Sequence, residues 1–341
     1  MNRLPAPETL RAQLPAPDVT THLDTVRDVI AGRDDRLLVV VGPCSAHDPV
    51  AMLEYAGALA TAARDHRREL VVVLRVYPEK PRSRHGWPGM LLDPQRDAGY
   101  ALAQGIEASR RLMVDVAALG LPVATEFVEP MVTPYLSDLV SWAAIGARCV
   151  ESPPHRRLAS DLPMPVGVKN RIDGAVGPAV DAVAVATAPQ PVVRLDDQGR
   201  PGWHVSAGNR HTHLVLRGGA AANYHAHQVE HALHLLSAVV DRPRLVVDCS
   251  HGNSGKDHRR QPVAVGAVAE QIAAGQTGIA GVMMESFLHE GSQPITPPLR
   301  YGVSVTDSCL GLDRTLDLLV ELAAATRQRR DRTTTVPVVS R

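Results

Sequence analysis

Six cationic side chains in this 341-residue chain follow apolar runs or lie in one long loop. They are Arg75, Lys80, Arg82, Arg148, Lys169 and Arg217. If the fold brings them to one face, they repel one another unless an anion lies between them, and the guanidinium fork matches phosphate and carboxylate geometry. The set therefore predicts a ligand with several negative charges, with phosphate the favoured group. For any one of these residues alone, a surface salt bridge is the more common role.

A second set of residues offers sulfur, nitrogen and oxygen donors. It consists of Cys44, His251, Glu285 and Asp307. Mixed donors of this kind suit a transition-type divalent metal such as Mn, Fe, Co or Zn better than Mg or Ca. Taken singly, a cysteine is more often a buried inert thiol, and a histidine is more often a hydrogen-bonded core residue. Taken together at one end of a fold, the four residues predict a metal site.

Eight continuous apolar runs could carry these residues as strands of a parallel sheet that is buried on both faces. The runs cover residues 37–41, 70–77, 123–127, 144–150, 165–169, 213–217, 245–249 and 278–284. Segments rich in Ala and Leu, typical of helices, lie between most of them, at 49–63, 95–119, 175–188, 226–240 and 262–274. Strand and helix alternating in this way predict an α/β fold, the (β/α)8 or TIM barrel.

A titratable residue lies at or just after the end of each of the eight runs. In chain order these residues are Cys44, Arg75, Glu126, Arg148, Lys169, Arg217, His251 and Glu285. Barrel enzymes carry their active sites at the carboxyl ends of the strands. The alternative, in which each residue caps a helix or makes a surface ion pair, does not account for all eight. We therefore expect an active site at this mouth of the barrel.

Several segments lie outside the regular alternation. We expect an N-terminal arm over residues 1–35 with one helix at 21–31, a catalytic barrel over 36–326, and a loose C-terminal tail over 327–341. The Pro-rich segment after the second strand reads as an ordered loop over the mouth. Residues 191–206, with a DDQGRP turn at their centre, predict an added β-hairpin.

Composition excludes several classes of protein. Lys plus Arg and Asp plus Glu are equal at 36 each, and three Trp, six Tyr and two Phe are too few for base-stacking platforms, so nucleic acid is not an expected partner. No apolar run approaches the length of a membrane span, and the four cysteines form no CxxC pair. Four histidines at 225, 227, 231 and 234 read as a solvated helix face. These features favour a cytoplasmic enzyme.

From about Asp34 to Ala325, the chain resembles the class I 3-deoxy-D-arabino-heptulosonate 7-phosphate (DAHP) synthases. The likeness is carried by ordered blocks over nearly the whole barrel. They are DDRLLVVVGPCSAHDP, LRVYPEKPRS, GWPGMLLDP, WAAIGARCVES, PVGVKN, LRGG, DCSHGNSGK, MMES and YGVSVTDSCLG. The resemblance implies a (β/α)8 barrel that condenses phosphoenolpyruvate with erythrose 4-phosphate, releases phosphate and needs one divalent metal.

Site residues follow from the resemblance, position by position. It places the metal ligands at Cys44, His251, Glu285 and Asp307, and the phosphoenolpyruvate site at Arg75, Lys80, Arg148, Lys169 and Arg217 with Glu126 alongside. The aldose site falls on Pro81, Arg82 and Ser83, where Ser83 replaces the usual Thr and keeps the hydroxyl. As a mechanistic hypothesis, the candidates for proton transfer are Lys80 and a metal-bound water together with His251, and Cys44 completes the catalytic set. The family also implies a homodimer or homotetramer.

Three departures from the family pattern stand out, namely His211 where an Asp is expected, and His85 and Pro88 in the mouth loop. His85 and Pro88 leave open a first alternative, a related condensation of phosphoenolpyruvate with another aldose phosphate. The second alternative is a non-catalytic regulatory paralogue.

The family's aromatic amino acid inhibitors bind a pocket made by the hairpin, nearby barrel loops and a neighbouring subunit's N-terminal segment. Arg194 and Asp196 put charge in this hairpin, and the arm is short and Pro-rich. We therefore expect weak or absent feedback inhibition, which would suit a specialised pathway.

Overall fold

The computed structural model describes residues 2–335, and its centre is a closed barrel of eight parallel strands. The barrel strands are β1 (Leu37–Gly42), β2 (Leu70–Arg75), β3 (Val123–Glu126), β4 (Val140–Ile145), β5 (Val166–Lys169), β8 (Thr212–Leu216), β9 (Leu245–Asp248) and β10 (Ile279–Glu285). Every residue in these strands is buried, which explains why they read as continuous apolar runs rather than alternating ones. The predicted (β/α)8 barrel is confirmed.

Helices surround the barrel and close one of its ends. They are α1 (Pro7–Gln13), α2 (Thr20–Ala31), α3 (Pro49–Asp65), α4 (Leu102–Ala118), α5 (Thr133–Leu136), α6 (Pro153–Asp161), α7 (Gly177–Thr187), α8 (Ala226–Leu236), α9 (Gln261–Ala273) and α10 (Leu312–Thr335). Short 3₁₀ helices lie at Pro130–Val132, Ser137–Leu139 and His258–Arg260. The Asp48 carboxylate caps α3 by accepting the N–H groups of Val50 and Ala51.

The core has two layers, because alternate strand residues face the inside and the outside of the barrel. Inward residues such as Leu38 and Val40 pack in one cluster with Val26 and Val29 of α2, whereas their neighbours pack against the outer helices. Helix α2 ends just before β1 begins, so it closes the amino-terminal end of the barrel. The carboxyl ends of the strands, at the opposite end, are left for the site.

Several predicted element boundaries are wrong. The fourth strand begins at Val140 rather than at residue 144, and α8 ends at Leu236 rather than at residue 240. Two other boundaries differ most. The fourth strand ends at Ile145 rather than at residue 150, because Gly146 and Cys149 close a turn through a 2.9 Å N–H···O bond. The predicted helix 95–119 begins only at Leu102, since Arg96, Ala98 and Tyr100 have positive φ angles that an α-helix cannot contain. Apolar content alone marks neither change.

The predicted hairpin is confirmed as an antiparallel pair, β6 (Pro191–Leu195) and β7 (Pro201–Val205). The N-terminal arm contains two helices where the sequence predicted one. The additional helix is α1, which begins at Pro7, a residue that suits the first helical turn because its missing N–H has no intrahelical acceptor there. Helix α1 contacts the hairpin turn, with the N–H of Glu8 donating to the carbonyl of Asp197 at 3.0 Å.

The predicted loose tail is wrong for residues 327–335, which continue α10 to Thr335. The helix persists because one face is apolar and buried, with Leu318, Leu322 and Ala325 in the core, and because Arg330 binds Asp35 at 2.6 Å. Residues 336–341 of the predicted tail lie outside the described residues. Within residues 2–335, no helix is long and apolar enough to cross a membrane.

Candidate active site

A cavity of about 140 Å³ opens at the carboxyl ends of the barrel strands. Nine of the residues singled out in the sequence line it, namely Lys80, Pro81, Arg82, Glu126, Arg148, Lys169, Arg217, His251 and Asp307. They come from the last residues of seven different strands or from the loops that follow those strands, which is how a barrel brings distant segments to one mouth. The Oε1 atom of Glu126 is buried here without a hydrogen-bond partner among the described residues.

Three of the four predicted metal ligands lie together in one corner of the mouth. Donor atoms of Cys44, Glu285 and Asp307 are all within 4.8 Å of one another. His251 lies beside this group, with Nε2 3.6 Å from Oε1 of Glu285. The backbone of His251 has a φ of 51°, which is uncommon for a residue other than glycine, and such conformations cluster at functional sites.

The donor set fits a divalent cation. Glu285 is fully buried, and burial alone would raise its pKa, but His251, Arg75 and Lys80 lower that pKa to about 2. Burial and the nearby Glu285 raise the pKa of the Cys44 thiol, while Lys80 acts in the opposite direction. Sulfur, imidazole nitrogen and carboxylate oxygen at one point are ligands of the kind that transition-type metals prefer.

Lys80 reaches this corner from the mouth loop. Its Nζ donates to Sγ of Cys44 at 3.1 Å and to the Cys44 carbonyl at 2.9 Å. Burial would lower the pKa of Lys80, yet Cys44 and Glu285 raise it above the ordinary value. Lys80 is therefore an ammonium group, held between the donor corner and the cavity.

Two of the predicted cations bind carboxylates of the protein itself. Arg75 does not line the cavity, because its guanidinium lies behind Glu285 and donates to Oε1 at 3.0 Å while stacking 4.1 Å from the Tyr77 ring. The Nζ of Lys169 lies 3.0 Å from Oδ2 of Asp248. These two charges are neutralised without any ligand.

The other three arginines have no carboxylate partner within residues 2–335. The Nη1 of Arg217 donates to the Gly218 carbonyl at 3.1 Å, and burial lowers the pKa of its guanidinium. The Nε of Arg148 donates to Oγ of Ser83 at 2.7 Å, and the Nε of Arg82 donates to the Trp87 carbonyl at 2.8 Å. No carboxylate of the described residues neutralises these three guanidinium groups at the cavity, so an anion can pair with them.

Asp248 is a site residue that the sequence analysis missed. It lies 3.0 Å from Lys169 and 2.8 Å from Nδ1 of His251, so it orients both. Burial would raise its pKa, but His251 and Lys169 hold that pKa well below the usual range. The sequence signal is a charged residue inside the predicted apolar run 245–249. Strand β9 ends one residue earlier than predicted, so Asp248 rather than Cys249 is the last strand residue.

Further missed residues hold the site together. Ser250 donates to Oε2 of Glu285 at 2.7 Å, and the amide of Gln261 exchanges two hydrogen bonds with the Glu285 backbone, both at 2.9 Å. Lys256 lies 3.6 Å from Asp307. No motif marks Gln261 in the sequence, since a helix-start glutamine is usually a surface residue.

Glu79 links two loops of the mouth and was also missed. Its buried carboxylate accepts the N–H groups of Val128 and Glu129 at 3.2 and 3.1 Å, which ties the loop after β2 to the loop after β3. Burial raises its pKa to about 8, although the two N–H bonds act against this. Glu79 therefore fixes the segment from which Lys80 projects.

The departure at position 211 lies outside the mouth. His211 precedes β8 and lines a cavity at the amino-terminal end of the barrel, so it does not contact the proposed substrate site. His85 is exposed in the mouth loop. Only the loop departures can therefore act on the aldose directly.

A closed parallel barrel with uncompensated arginines and a mixed-donor corner at one mouth defines a barrel enzyme that acts on anionic substrates. The chain belongs to the DAHP synthetase I family, whose model matches residues 14–319.

Named relatives agree with the family model. A phospho-2-dehydro-3-deoxyheptonate aldolase of Corynebacterium glutamicum is 44% identical over 344 residues, covering 96% of this chain and 93% of that protein. A Trp-sensitive phospho-2-dehydro-3-deoxyheptonate aldolase of Enterobacter agglomerans is 46% identical, with 95% of each chain covered. The solved structure of the Francisella tularensis aldolase of the same name superposes with a TM-score of 0.95 at 39% identity, covering 97% of this chain and 98% of that one.

Proposed function

We propose that this protein condenses phosphoenolpyruvate with D-erythrose 4-phosphate to give DAHP and inorganic phosphate, the first step of the shikimate pathway. The observation that carries the proposal is one cavity in which three arginines without carboxylate partners face a corner of sulfur and carboxylate donors. Both substrates are phosphorylated, and phosphoenolpyruvate also carries a carboxylate, so the charges of site and substrates are complementary. Membership of the family gives the reaction.

We infer that Cys44, His251, Glu285 and Asp307 would hold one divalent metal, Mn, Co, Fe or Zn. The clustering of three of these donors within 4.8 Å supports this set, and His251 lies beside them with Nε2 3.6 Å from Oε1 of Glu285. When bound, the metal would supply Lewis acidity toward the aldehyde oxygen of the aldose.

Phosphoenolpyruvate would lie against Arg148, Lys169 and Arg217. The two arginines offer uncompensated forks, and Lys169 adds a donor that Asp248 holds in place. Arg75 would act indirectly, because its guanidinium binds Glu285 and does not line the cavity. The buried Oε1 of Glu126 can accept a hydrogen bond from a water or a substrate hydroxyl.

Erythrose 4-phosphate would bind through its phosphate to Arg82 and Ser83, with Pro81 shaping the wall. The hydrogen bond from Arg148 to Ser83 supports adjacent positions for the two proposed substrate subsites. Binding both substrates in adjacent subsites converts a bimolecular encounter into a reaction between held groups.

In the reaction, the new C–C bond joins C3 of phosphoenolpyruvate to the aldehyde carbon. Water adds at C2, and the resulting hemiketal phosphate loses inorganic phosphate by cleavage of its C–O bond. Lys80 Nζ and His251 are the two candidates for carrying protons at this corner, and Asp248 would orient the His251 ring through Nδ1.

The direct test measures phosphate release from phosphoenolpyruvate plus erythrose 4-phosphate, with and without a chelator. We expect turnover that the chelator abolishes and added Mn or Co restores. A panel of other aldose phosphates provides the control, because faster release with a different aldose would favour the related condensation instead. No release with any aldose would contradict the proposal and favour the non-catalytic alternative.

The predicted homodimer or homotetramer and the cytoplasmic location stay predictions.

A further inference from the structure

A second cavity lies at the end of the barrel opposite to the active site. It measures about 840 Å³, compared with about 140 Å³ for the mouth. Its walls come from the end of α2, from the segment that leads into β8, and from the segment between α8 and β9. In barrel enzymes this end serves stability rather than catalysis, so an arrangement of charges here needs its own explanation.

The charges of this cavity are strongly unbalanced. Four arginines line it, namely Arg33, Arg210, Arg242 and Arg244, against a single lining carboxylate, Asp241. Arg33 binds Asp28 at 2.6 Å. Across residues 2–335, the guanidinium groups of Arg210, Arg242 and Arg244 make no hydrogen bond and no ion pair. Three cations therefore face one space without partners.

Arg244 is the member of this group that water solvates least. Its Nε is buried without an acceptor among the described residues. Burial lowers the pKa of its guanidinium to about 10, and Arg329 acts in the same direction, against Asp34. Burying a charged group without a partner is unfavourable, so the fold keeps this cation at a cost in stability.

The backbone beside Arg244 is shaped to leave room for it. Gly32 has a φ of 71°, and a Cβ at this position would lie 2.6 Å from Nη1 of Arg244. Glycine meets both demands, since it adopts the left-handed conformation and leaves the guanidinium its space. Gly32, which ends α2, therefore leaves space for the Arg244 guanidinium.

The pKa values of the two histidines in this cavity reflect the same excess of positive charge. Burial lowers the pKa of His211, and Arg27, Arg33 and Arg210 lower it further. Burial also lowers the pKa of His213 to about 4, with Arg244 among the contributors. Both rings are neutral at pH 7, so they add no positive charge.

We propose that this cavity binds a phosphate-bearing small molecule at a site separate from the active site. Arg210, Arg242 and Arg244 would take the phosphate, because guanidinium forks match its oxygens and gain most where water is partly excluded. The apolar wall of Ile30, Leu236 and Val239 would contact the organic part of the ligand. Such a ligand would stabilise the end of the barrel that α2 closes, since it binds only the folded chain.

The test titrates the full-length protein with pyrophosphate by isothermal calorimetry while saturating phosphoenolpyruvate fills the mouth. We expect two classes of remaining sites in the wild type: the proposed aldose phosphate subsite, whose binding Arg82→Ala should remove, and the second cavity, whose binding should remain. Arg244→Gln, and separately the exposed pair Arg210→Gln and Arg242→Gln, should weaken this binding by about tenfold or more. Condensation activity without added pyrophosphate should stay within about twofold in these variants, because none of these residues lies at the mouth.

Arg68→Gln provides the matched control. Arg68 is an exposed arginine just before β2, at the same end of the barrel but outside the cavity lining. The Arg68→Gln protein should therefore bind pyrophosphate as the wild type does. A parallel titration with inorganic phosphate shows whether phosphate suffices or a larger ligand is needed. Hydrogen exchange gives a second readout, with protection by pyrophosphate expected in segment 239–245.

Three results would overturn the proposal. They are no pyrophosphate binding in the presence of phosphoenolpyruvate, unchanged binding in the exposed Arg210 and Arg242 double variant, and an equal loss in Arg68→Gln. An equal loss in Arg68→Gln would show that pyrophosphate is attracted by the positive charge of the surface in general rather than by the cavity. If phosphoenolpyruvate itself fails to bind, the proposed function is contradicted instead, and the same titrations in Arg217→Ala still test the second cavity.

Discussion

The mouth of the barrel and the hairpin treat their charged side chains in opposite ways. At the mouth, Arg82, Arg148 and Arg217 line a cavity and have no carboxylate partner within residues 2–335. At the hairpin, Arg194 and His204 both bind the carboxylate of Asp161, at 3.1 and 2.6 Å. The fold therefore leaves positive charge free at one place and pairs it at the other.

The pairing extends along the whole hairpin turn. Arg200 binds Asp196 at 2.8 Å, and Arg11 of α1 binds Asp197 at 2.7 Å. Cations that line a cavity without carboxylate partners can pair with an anionic ligand. Charged side chains that already pair with one another have no unpaired charge for a ligand to bind. The comparison teaches that charge pairing, rather than the number of charges, separates a binding site from a structural contact.

The largest effect is expected from Cys44→Ala, which removes the sulfur donor of the mouth. Residues that only orient metal ligands already cost about 10- to 100-fold in metal affinity or activity, so loss of a ligand should reduce turnover by more than about 100-fold. Metal content and steady-state rates measure the effect. Cys249→Ala, at another buried cysteine that directly follows β9, is the matched control and should keep its metal. Full activity of metal-free Cys44→Ala protein would contradict the ligand set.

The next effect concerns how the free cations divide between the two substrates. Arg217→Ala should raise the KM for phosphoenolpyruvate about 10- to 100-fold, the effect of losing a hydrogen bond between charged groups, and should change the KM for the aldose far less. Arg148→Ala should behave similarly, although its bond to Ser83 also touches the aldose subsite. Arg82→Ala should do the reverse.

Arg259→Ala is the control for this set, because that exposed arginine binds Asp257 at 2.9 Å outside the mouth. Equal changes in both KM values for Arg217→Ala and Arg82→Ala would show that the cations do not divide as proposed.

A smaller effect is expected from Glu79, the carboxyl that ties two mouth loops together. Its pKa is raised to about 8 in the folded protein, so the folded state holds a proton that the unfolded state releases near pH 4.5. Its contribution to stability is therefore complete below pH 4.5 and is lost as the pH rises through 8. Glu79→Gln should remove a slope of at most about 1.4 kcal/mol per pH unit from the free energy of unfolding.

Urea unfolding of the wild type and of Glu79→Gln at pH 6 and pH 8 measures this slope. Glu107→Gln is a suitable control, since Glu107 is an exposed carboxylate on α4 that pairs with Arg111 at 3.0 Å. Identical pH dependence in the wild type and Glu79→Gln would show that Glu79 is ionised in the folded protein at both pH values.

Sequence patterns predicted the barrel and most of its mouth, because buried parallel strands are continuous apolar runs and their ends stand out when polar. The same reasoning misplaced the fourth strand, since Gly146 to Val150 are apolar enough to extend it, and only the turn at Gly146 ends it. It also missed the length of α10, where charged residues near Arg330 are paired with Asp35.

The partners of the site residues were harder to predict than the residues themselves. Arg75 stands at a strand end like Arg217, yet it binds Glu285 whereas Arg217 faces the cavity. Glu79 and Gln261 act through contacts with segments far away in sequence. Local patterns identify which groups can do chemistry, but charge pairing depends on three-dimensional distances.

The smallest effects are expected at the hairpin. Replacing both Arg194 and His204 by Ala removes two partly exposed bonds to Asp161. Exposed ion pairs contribute about 0–1 kcal/mol each, so we expect a small decrease in Tm and an unchanged kcat. A large loss of activity would show that the hairpin communicates with the mouth.

The same pairing predicts the response to aromatic amino acids. A pocket for Phe, Tyr or Trp needs buried apolar area for affinity. Here Arg194 and His204 converge on Asp161 between the hairpin and α6, and the Arg11 bond to Asp197 holds α1 against the turn. We therefore expect initial rates to change little when each amino acid is added at millimolar concentration. The matched control is the Trp-sensitive relative of Enterobacter agglomerans, assayed alongside with Trp. Inhibition of this protein by any of the three at micromolar concentration would show that the charges at the hairpin separate to form a pocket.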